Sequence, residues 1–366
     1  MPTVSAVRLR LDDICRLLCN GNSDLSHLDL TGYGIGDDGA KALGSVIQLQ
    51  STLISLSLGY NLISPAGAVP LIESVNNIVH SIDLRCNSIG DEGAFALSKL
   101  FMKENKIQHL AIQNNYIGPS GVTVLVSSLG DNATLQSLDL GTNNIGDEGA
   151  LAIGKLLKTN NSLKVLNLWS NDLTEAGIQV ISYGLKENFS VEVLNLGSNS
   201  VGDAGAASLA EALEQNSSLR SLHVTNALIR EDGAKDLARA LIHNRSLTVL
   251  DIMHNLIGYK GAEGFCWILR HYNSVIRELR LDYLGQSYEY QRNSSGINEE
   301  IIVYLNWNKK GRDETKNVMI PLGSWPNILE KIKEESDLMF LTLLQKPELL
   351  RAQSLHAAAE QYLLKC

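Results

Sequence analysis

Residues 135–162 read LQSLDLGTNNIGDEGALAIGKLLKTNNS, and this stretch contains two apolar periods in succession. Leu138 and Leu140 lie two residues apart, which predicts a short strand with one buried face. Ile153 and Leu157 follow at helical spacing, within a segment of about twelve residues. The stretch therefore predicts one strand, one turn and one helix.

The same pattern recurs along most of the chain, usually at intervals of 28 residues. Neither a strand nor a helix of this kind can bury its apolar face alone, so the units are expected to stack into a curved solenoid. Copies of the string LxxLxLxxN start at Leu53, Val79, Ile107, Leu135, Leu163, Val191 and Leu247, and degraded copies start at Leu25, Leu219 and Ile276.

The hexamer IGDEGA occurs at residues 89–94 and again at residues 145–150. It has no Lys after its glycines, and its glycine spacing matches neither common nucleotide-binding fingerprint. Variants recur in the other units, which argues against an acidic metal site. The pattern instead predicts a link from strand to helix, in which Asp91 or Asp147 caps the following helix and Gly93 or Gly149 lets that helix approach the sheet.

These repeats resemble those of the leucine-rich-repeat proteins of the ribonuclease-inhibitor type. The resemblance implies an α/β leucine-rich-repeat solenoid, with a parallel sheet on the concave face of a horseshoe and helices on the convex face. We expect an N-terminal cap at 1–24, about ten repeats at 25–284, and a C-terminal cap at 285–366. The last segment is predicted to contain an irregular strand at 301–307 followed by helices; a separate docking helix pair or a bacterial secretion signal are alternatives for it.

Composition narrows the class of protein. The net charge is −9 and the isoelectric point is about 5.4, which argues against nucleic-acid binding. No signal peptide and no membrane span are expected, since no apolar run is long enough. The five cysteines, among them Cys15 and Cys19, are scattered and are expected to be reduced thiols. A cytoplasmic monomer without metal or cofactor is predicted, with secretion into a host cell by a bacterial system as the alternative.

Three columns of polar residues recur with the repeats. The first is the Asn that closes each string, which is expected to satisfy backbone groups where the chain leaves the strand. This ladder of Asn residues should be weaker in the three units where Tyr33, Ala227 and Leu284 replace it. The second column matches the N-glycosylation pattern, yet its period indicates a role in the repeat, where Asn tolerates the left-handed backbone that ends a helix. The first column is Asn61, Asn87, Asn115, Asn143, Asn171, Asn199 and Asn255, and the second is Asn132, Asn160, Asn188, Asn216 and Asn244, with Asn293 outside the period.

The third column lies between the two core leucines of the strands. Aligned carboxylates there could hold Ca²⁺ or act in acid–base chemistry. Ser57, Ala111 and His223 interrupt the row, so solvated acids that make the concave face locally negative are expected. The members are Asp29, Asp83, Asp139 and Asp251, with Asn167 and Asn195 at equivalent places.

Candidate binding residues are the unusual side chains at the three outward positions of each strand. They are Arg85, His109, Gln113, Trp169, His223, Met253 and Arg280, with Tyr60, His254 and Tyr283 at the rim. Trp169 stands where other units carry Gly59, Gly141 and Gly197, so its indole should project over a floor without side chains. Trp is common at the centres of protein interfaces.

The function favoured by these features is non-catalytic binding of a partner protein on the concave face, in one form as a bacterial effector acting on host proteins. The alternative is a GTPase-activating or other regulatory repeat protein, although the acidic tail usual in that branch is missing. A ubiquitin ligase using Cys366 ranks last, because the segment after the repeats is short. The dispersed histidines predict neither a zinc site nor a Ser/His/Asp grouping.

Overall fold

The computed structural model describes residues 25–49, 51–281, 297, 301–306 and 308–309. Within them, ten strands of three residues form one parallel sheet in sequence order. The strands are β1 (His27–Asp29), β2 (Ser55–Ser57), β3 (Ser81–Asp83), β4 (His109–Ala111), β5 (Ser137–Asp139), β6 (Val165–Asn167), β7 (Val193–Asn195), β8 (Ser221–His223), β9 (Val249–Asp251) and β10 (Glu278–Arg280). The α/β leucine-rich-repeat solenoid predicted from the sequence is confirmed.

One helix follows each of the first nine strands and lies on the same side of the sheet. The helices are α1 (Gly36–Ile47), α2 (Pro65–Glu73), α3 (Gly90–Phe101), α4 (Pro119–Ser127), α5 (Gly146–Thr159), α6 (Glu175–Lys186), α7 (Gly202–Gln215), α8 (Glu231–Ala240) and α9 (Gly258–His271). Neighbouring strands of a sheet are about 4.8 Å apart, whereas packed helices need 8–10 Å between their axes. An array with one of each per unit therefore curves with the strands on the inside.

The core lies between the sheet and the helices. The central residues of the strands pair in register, as Leu138 with Leu166 and Leu166 with Leu194. These leucines are fully buried. Ile153 and Leu157, on the side of α5 that faces the sheet, are at most 1% exposed. Because each strand has only three residues, its outward side chains form the concave surface directly.

The Asn residues that close the strands form a buried ladder. The Nδ2 of Asn171 donates to Leu140 O of the preceding unit at 2.9 Å, and its Oδ1 accepts the backbone N–H of Asn143 at 3.2 Å. This arrangement confirms the structural role predicted for the column. Ala227 has no side-chain amide, so no side-chain oxygen at this position accepts the backbone N–H groups of Asn199 and Val201. Leu284 lies outside the described residues.

The Asn residues of the glycosylation-like column form a second ladder at the other edge. The Nδ2 of Asn160 donates to Leu129 O at 2.8 Å and to Asn132 O at 3.0 Å, while its Oδ1 accepts the N–H of Ser162 and of Leu163. The role in the repeat is as predicted, but the reason was wrong. Asn160 has φ −80° and ψ 131°, an extended conformation, so its side-chain hydrogen bonds and not a left-handed backbone explain its use.

The Ser or Thr two positions later completes this second ladder, because Ser162 Oγ donates to Asn132 O at 2.8 Å. The Asn-x-Ser/Thr pattern is thus a backbone-satisfying device within the repeats. Asn160 is 3% exposed and both of its amide hydrogens are engaged, which leaves no room for a glycan. Asn293 lies outside the described residues.

The hexamers between strand and helix alternate strictly between two conformations. In the glycine type, the second residue has a left-handed backbone. Its N–H donates to the backbone carbonyl at the ladder position of the next unit, as Gly146 does to Asn171 and Gly202 to Ala227, both at 3.0 Å. In the extended type, the helix begins after an extended residue. Left-handed glycines of the first type are Gly36, Gly90, Gly146, Gly202 and Gly258, and extended N-caps of the second are Ser64, Gly118, Thr174 and Arg230.

This alternation corrects the predicted role of the hexamer acids. The helices that follow Ile89 and Ile145 have no side-chain cap. Asp91 instead accepts the N–H of Gly118 at 2.7 Å, and Asp147 accepts that of Thr174 at 2.8 Å. Each Asp therefore caps the helix of the next unit, which the linear order of the residues does not indicate.

The hexamer glycines also have a different role from the predicted approach to the sheet. A Cβ on Gly93 would meet Ile89 of the same hexamer, and one on Gly149 would meet both Ile145 and Val122 of the preceding helix. These positions must be glycine because the first hexamer residue and the neighbouring helix occupy the space.

Residues 301–306 and 308–309 are helical, so the predicted strand at 301–307 was wrong. Ile301, Tyr304 and Leu305 are buried, and together with Asn308 they share one helical face. Asn308 Nδ2 donates to Asn273 O at 3.3 Å, which continues the second ladder beyond the last strand, and to Ile276 O at 2.7 Å. The caps predicted at 1–24 and over most of 285–366 lie outside the described residues.

The described helices include none that is both long and apolar enough to cross a membrane. Cys86 and Cys266, the two cysteines within the described residues, are thiols. The remaining cysteines, with the pair Cys15 and Cys19, lie outside those residues. No cluster of three or more metal-ligand side chains occurs within the described part of the chain.

Candidate concave binding surface

Trp169 follows strand β6 and lies across the concave face. An added Cβ on Gly197 of the next strand would overlap Cε3 and Cζ3 of the indole, so the ring rests on that glycine. The sequence predicted that the ring lies over glycines, and in the structure that glycine is Gly197 and not Gly141. An added Cβ on Gly141 would lie 3.5 Å from the Trp169 carbonyl oxygen, and no ring atom is among its nearest neighbours. The ring is half-buried, with one face covered by its own sheet.

Val165 and Val193 extend this apolar surface. They are register partners in β6 and β7, and both are half-buried at outward positions. We define the central patch as Val165, Val193, Trp169 and Gly197. Neither valine was among the predicted binding residues, although each stands at the outward position directly before a buried core leucine, Leu166 or Leu194.

The acids of the third column accept hydrogen bonds from their own strand ends. Asp139 Oδ1 accepts the N–H of Gly141 at 2.9 Å, and Asn167 and Asn195 make the same contact with the residue two positions later. This turn-like contact explains why either Asp or Asn can occupy the column. Asp251 departs from the predicted solvated state, because it is only 6% exposed.

Asp139 differs from two of its counterparts in having no charged partner among the described residues. Its Oδ1 also accepts Asn167 Nδ2 at 2.9 Å, and no hydrogen bond involves its Oδ2 within the same described part. By contrast, Asp83 Oδ2 lies 3.4 Å from Arg85 Nε, and Asp251 Oδ2 lies 3.2 Å from Arg280 Nη1. Asp139 thus leaves an uncompensated negative charge beside the central patch.

A first group of predicted residues lies around β2 to β4. The Arg85 side chain lies over Gly59, and its guanidinium carbon is 6.0 Å from the centre of the Tyr60 ring. A hydrogen bond with the Cys86 thiol raises the pKa of the exposed Tyr60 phenol. His109 is exposed and Gln113 is half-buried on the neighbouring strand.

A second group lies around β8 to β10. His223 Nδ1 is 3.7 Å from Asp251 Oδ2, and Arg280 is held by both Glu278 and Asp251, which raise its pKa. Met253 is half-buried and His254 is exposed at the rim, while Tyr283 lies outside the described residues. Arg85 and His223 are five strands apart, about 24 Å at the usual strand spacing, so the predicted residues form two groups with Trp169 between them.

The second group contains a Ser/His/Asp arrangement that the sequence analysis did not expect. Ser221 Oγ lies 2.8 Å from His223 Nε2, and Asp251 is on the other side of that imidazole. A hydrolytic triad needs a hydrogen bond between His and Asp and free N–H groups for the oxyanion. Here the His–Asp separation of 3.7 Å is too long, Asp251 is closer to Arg280, and the Ser221 N–H is bonded to Glu192 O.

Comparison with known proteins identifies the repeat but not a partner. The family model described as Leucine Rich repeat matches residues 21–44, 75–98, 131–154, 159–182, 187–210 and 243–266. Each matched segment includes a strand and the start of its helix. No curated protein matched the chain.

Two of the solved structures that are similar to part of the chain bear printed titles. One is titled Leiomodin-1 Actin-Binding Site 2, with 19% identity, a TM-score of 0.39, and coverage of 46% of this chain and 92% of that one. The other is the tropomodulin C-terminal domain of Caenorhabditis elegans, with 16% identity, a TM-score of 0.38, and coverage of 46% and 97%. These similarities are too low to transfer a binding property. The repeat matches and the ten-strand array together show that the chain contains leucine-rich repeats, which form an α/β solenoid.

Proposed function

We propose that this protein is a non-catalytic scaffold that binds a partner protein on its concave face, centred on Trp169. The observation that carries the proposal is the indole of Trp169 resting on Gly197 beside Val165 and Val193. A flat aromatic ring, already ordered by its own sheet, loses little conformational entropy when a partner covers its free face. Trp is one of the residues most enriched at the energetic centres of protein interfaces.

The proposal is tested by capturing partners from eukaryotic cytosol with the full chain and identifying them by mass spectrometry. Trp169→Ala is compared with Trp267→Ala, because Trp267 lies on helix α9 of the convex side and is 49% exposed. Proteins that are captured by the wild type, lost with Trp169→Ala and retained with Trp267→Ala support the concave face. Equal capture by the wild type and Trp169→Ala, with both correctly folded, contradicts it.

The absence of catalysis is part of the same proposal. Its support is the geometry around Ser221, where the imidazole is not hydrogen-bonded to a free carboxylate and the serine N–H is already paired. A fluorophosphonate probe, which labels activated serines, is expected to leave Ser221 unmodified. Labelling that disappears with Ser221→Ala would show that the grouping is a hydrolytic site.

GTPase activation and delivery into a host cell as a bacterial effector stay predictions, because no feature of the described surface favours either. A cytoplasmic location and a monomeric state likewise stay predictions.

A further inference from the structure

We propose that the partner contacts the central patch through a segment that carries a Lys or Arg close to a large apolar residue, with the cation paired to Asp139. This inference rests on the proposed function and specifies the chemistry of the partner. Its basis is the contrast between Asp139 and the ion-paired acids Asp83 and Asp251 on the same face.

The position of Asp139 suits such a pairing. It lies on β5, directly beside Asn167 of β6 in the register, while Val165 and Trp169 lie two residues before and after Asn167. With strands about 4.8 Å apart and alternate residues about 6.6 Å apart, Asp139 is roughly 8 Å from either apolar residue in backbone terms. Residues two apart in an extended peptide, or three to four apart in a helix, span a similar distance.

The hydrogen bonds of Asp139 leave its charge available. The backbone of Gly141 and the amide of Asn167 both donate to Oδ1, which fixes the orientation of the carboxylate and leaves Oδ2 for another donor. A carboxylate oriented in advance loses less side-chain entropy when a cation binds. The chain's net charge of −9 also favours approach of a basic segment.

Asn replaces Asp at the equivalent positions in β6 and β7, and there it keeps the same backbone contact, as Asn167 Oδ1 accepts the Trp169 N–H at 3.1 Å. Asp139→Asn therefore removes the charge while retaining the turn. Asp29→Asn is the matched control, because Asp29 Oδ1 accepts the Thr31 N–H at 3.0 Å in the same way, four strands from β5.

The experiment selects binders from a phage-displayed library of random peptides of about twelve residues, using the full wild-type chain and Asp139→Lys. Wild-type selection is expected to enrich peptides with Lys or Arg within four residues of a large apolar residue, and Asp139→Lys is expected to enrich Asp or Glu instead. An enriched peptide is then synthesised, together with a version in which its basic residue is Gln, and binding to each variant is measured by fluorescence anisotropy.

Asp139→Asn should weaken binding of the basic peptide about five- to tenfold and leave binding of the Gln version unchanged. The reason is that the change in the protein and the change in the peptide remove the same interaction. Asp29→Asn should bind both peptides like the wild type. Failure to enrich any peptide, enrichment without basic residues, or equal binding by Asp139→Asn overturns the inference. Loss of binding with Asp139→Asn but not with Trp169→Ala would preserve the charged contact and reject Trp169 as the centre.

Discussion

Asp147 joins two repeats by capping a helix that is not its own: its Oδ1 accepts the Thr174 N–H at 2.8 Å and its Oδ2 accepts the Thr174 hydroxyl at 2.5 Å. Oδ1 also accepts the Gly177 N–H at 3.1 Å. Three donors at the start of α6 therefore depend on a carboxylate from the preceding unit.

Asp147→Ala is expected to lower the free energy of unfolding by about 1–3 kcal/mol, since it leaves helix-terminal donors without their acceptor. Glu148→Ala, at the exposed next position, should change it by less than about 0.5 kcal/mol. Urea unfolding followed by circular dichroism measures both. Equal midpoints for Asp147→Ala and Glu148→Ala would show that the inter-repeat cap contributes nothing.

Asp37 provides a pH-dependent version of the same cap. The Ser64 side-chain and backbone hydrogen bonds hold the pKa of the Asp37 carboxyl below its ordinary value of 3.8. Because the folded pKa is lowered, the stabilisation is full above the ordinary pKa and is lost as pH falls through the folded pKa. Asp37→Asn should therefore be less stable than the wild type at neutral pH, with a difference that shrinks between about pH 4 and pH 2.

Urea unfolding of the wild type and Asp37→Asn across this range gives the difference directly. Asp38, which is exposed and lies next in the chain, supplies the control variant Asp38→Asn. A difference between wild type and Asp37→Asn that does not vary with pH would contradict the assignment.

The adjacent residues Asn160 and Asn161 provide a test of the second ladder. Asn160→Ala should cost about 2–4 kcal/mol, because it removes two hydrogen bonds to the Leu129 and Asn132 carbonyls and leaves the N–H groups of Ser162 and Leu163 without their acceptor. Asn161→Ala should cost less than about 0.5 kcal/mol, since Asn161 is exposed and bonds only to Thr159 of its own helix end. Similar losses in thermal or urea unfolding for the two variants would refute the ladder role.

Gly197→Ala tests whether the indole must lie flat on the sheet. The added Cβ would overlap Cε3 and Cζ3 of the Trp169 ring, so the ring is expected to swing away while the strand remains. Partner or peptide binding should fall to the level of Trp169→Ala, with a modest loss of stability because the Thr225 carbonyl oxygen is also 3.0 Å from that Cβ.

Gly59→Ala is the matched control for this glycine column, since its added Cβ would displace Arg85 instead. Binding measured for both variants by the anisotropy assay should distinguish them. Loss of binding with Gly59→Ala and retention with Gly197→Ala would move the contact surface from the central patch to the Tyr60–Arg85 group.

The strand positions and the first Asn ladder were predictable because they depend on periods that repeat along the chain. Leu138 and Leu140 identify a strand in any unit, and an Asn that closes seven strings indicates a backbone partner. The helix at 301–306 was not predictable in this way, because it belongs to no repeat and its short apolar run fits either period.

The linear order of residues thus determined the solenoid, its ten strands and the surface on which unusual side chains are displayed. Tertiary structure alone decided which neighbour each side chain meets: Asp147 meets the next helix, Trp169 meets Gly197, and His223 meets Asp251. The physical reason is that these contacts join residues 27 or 28 positions apart in the sequence. Their geometry depends on how the stacked units pack, and local periodicity carries no information about it.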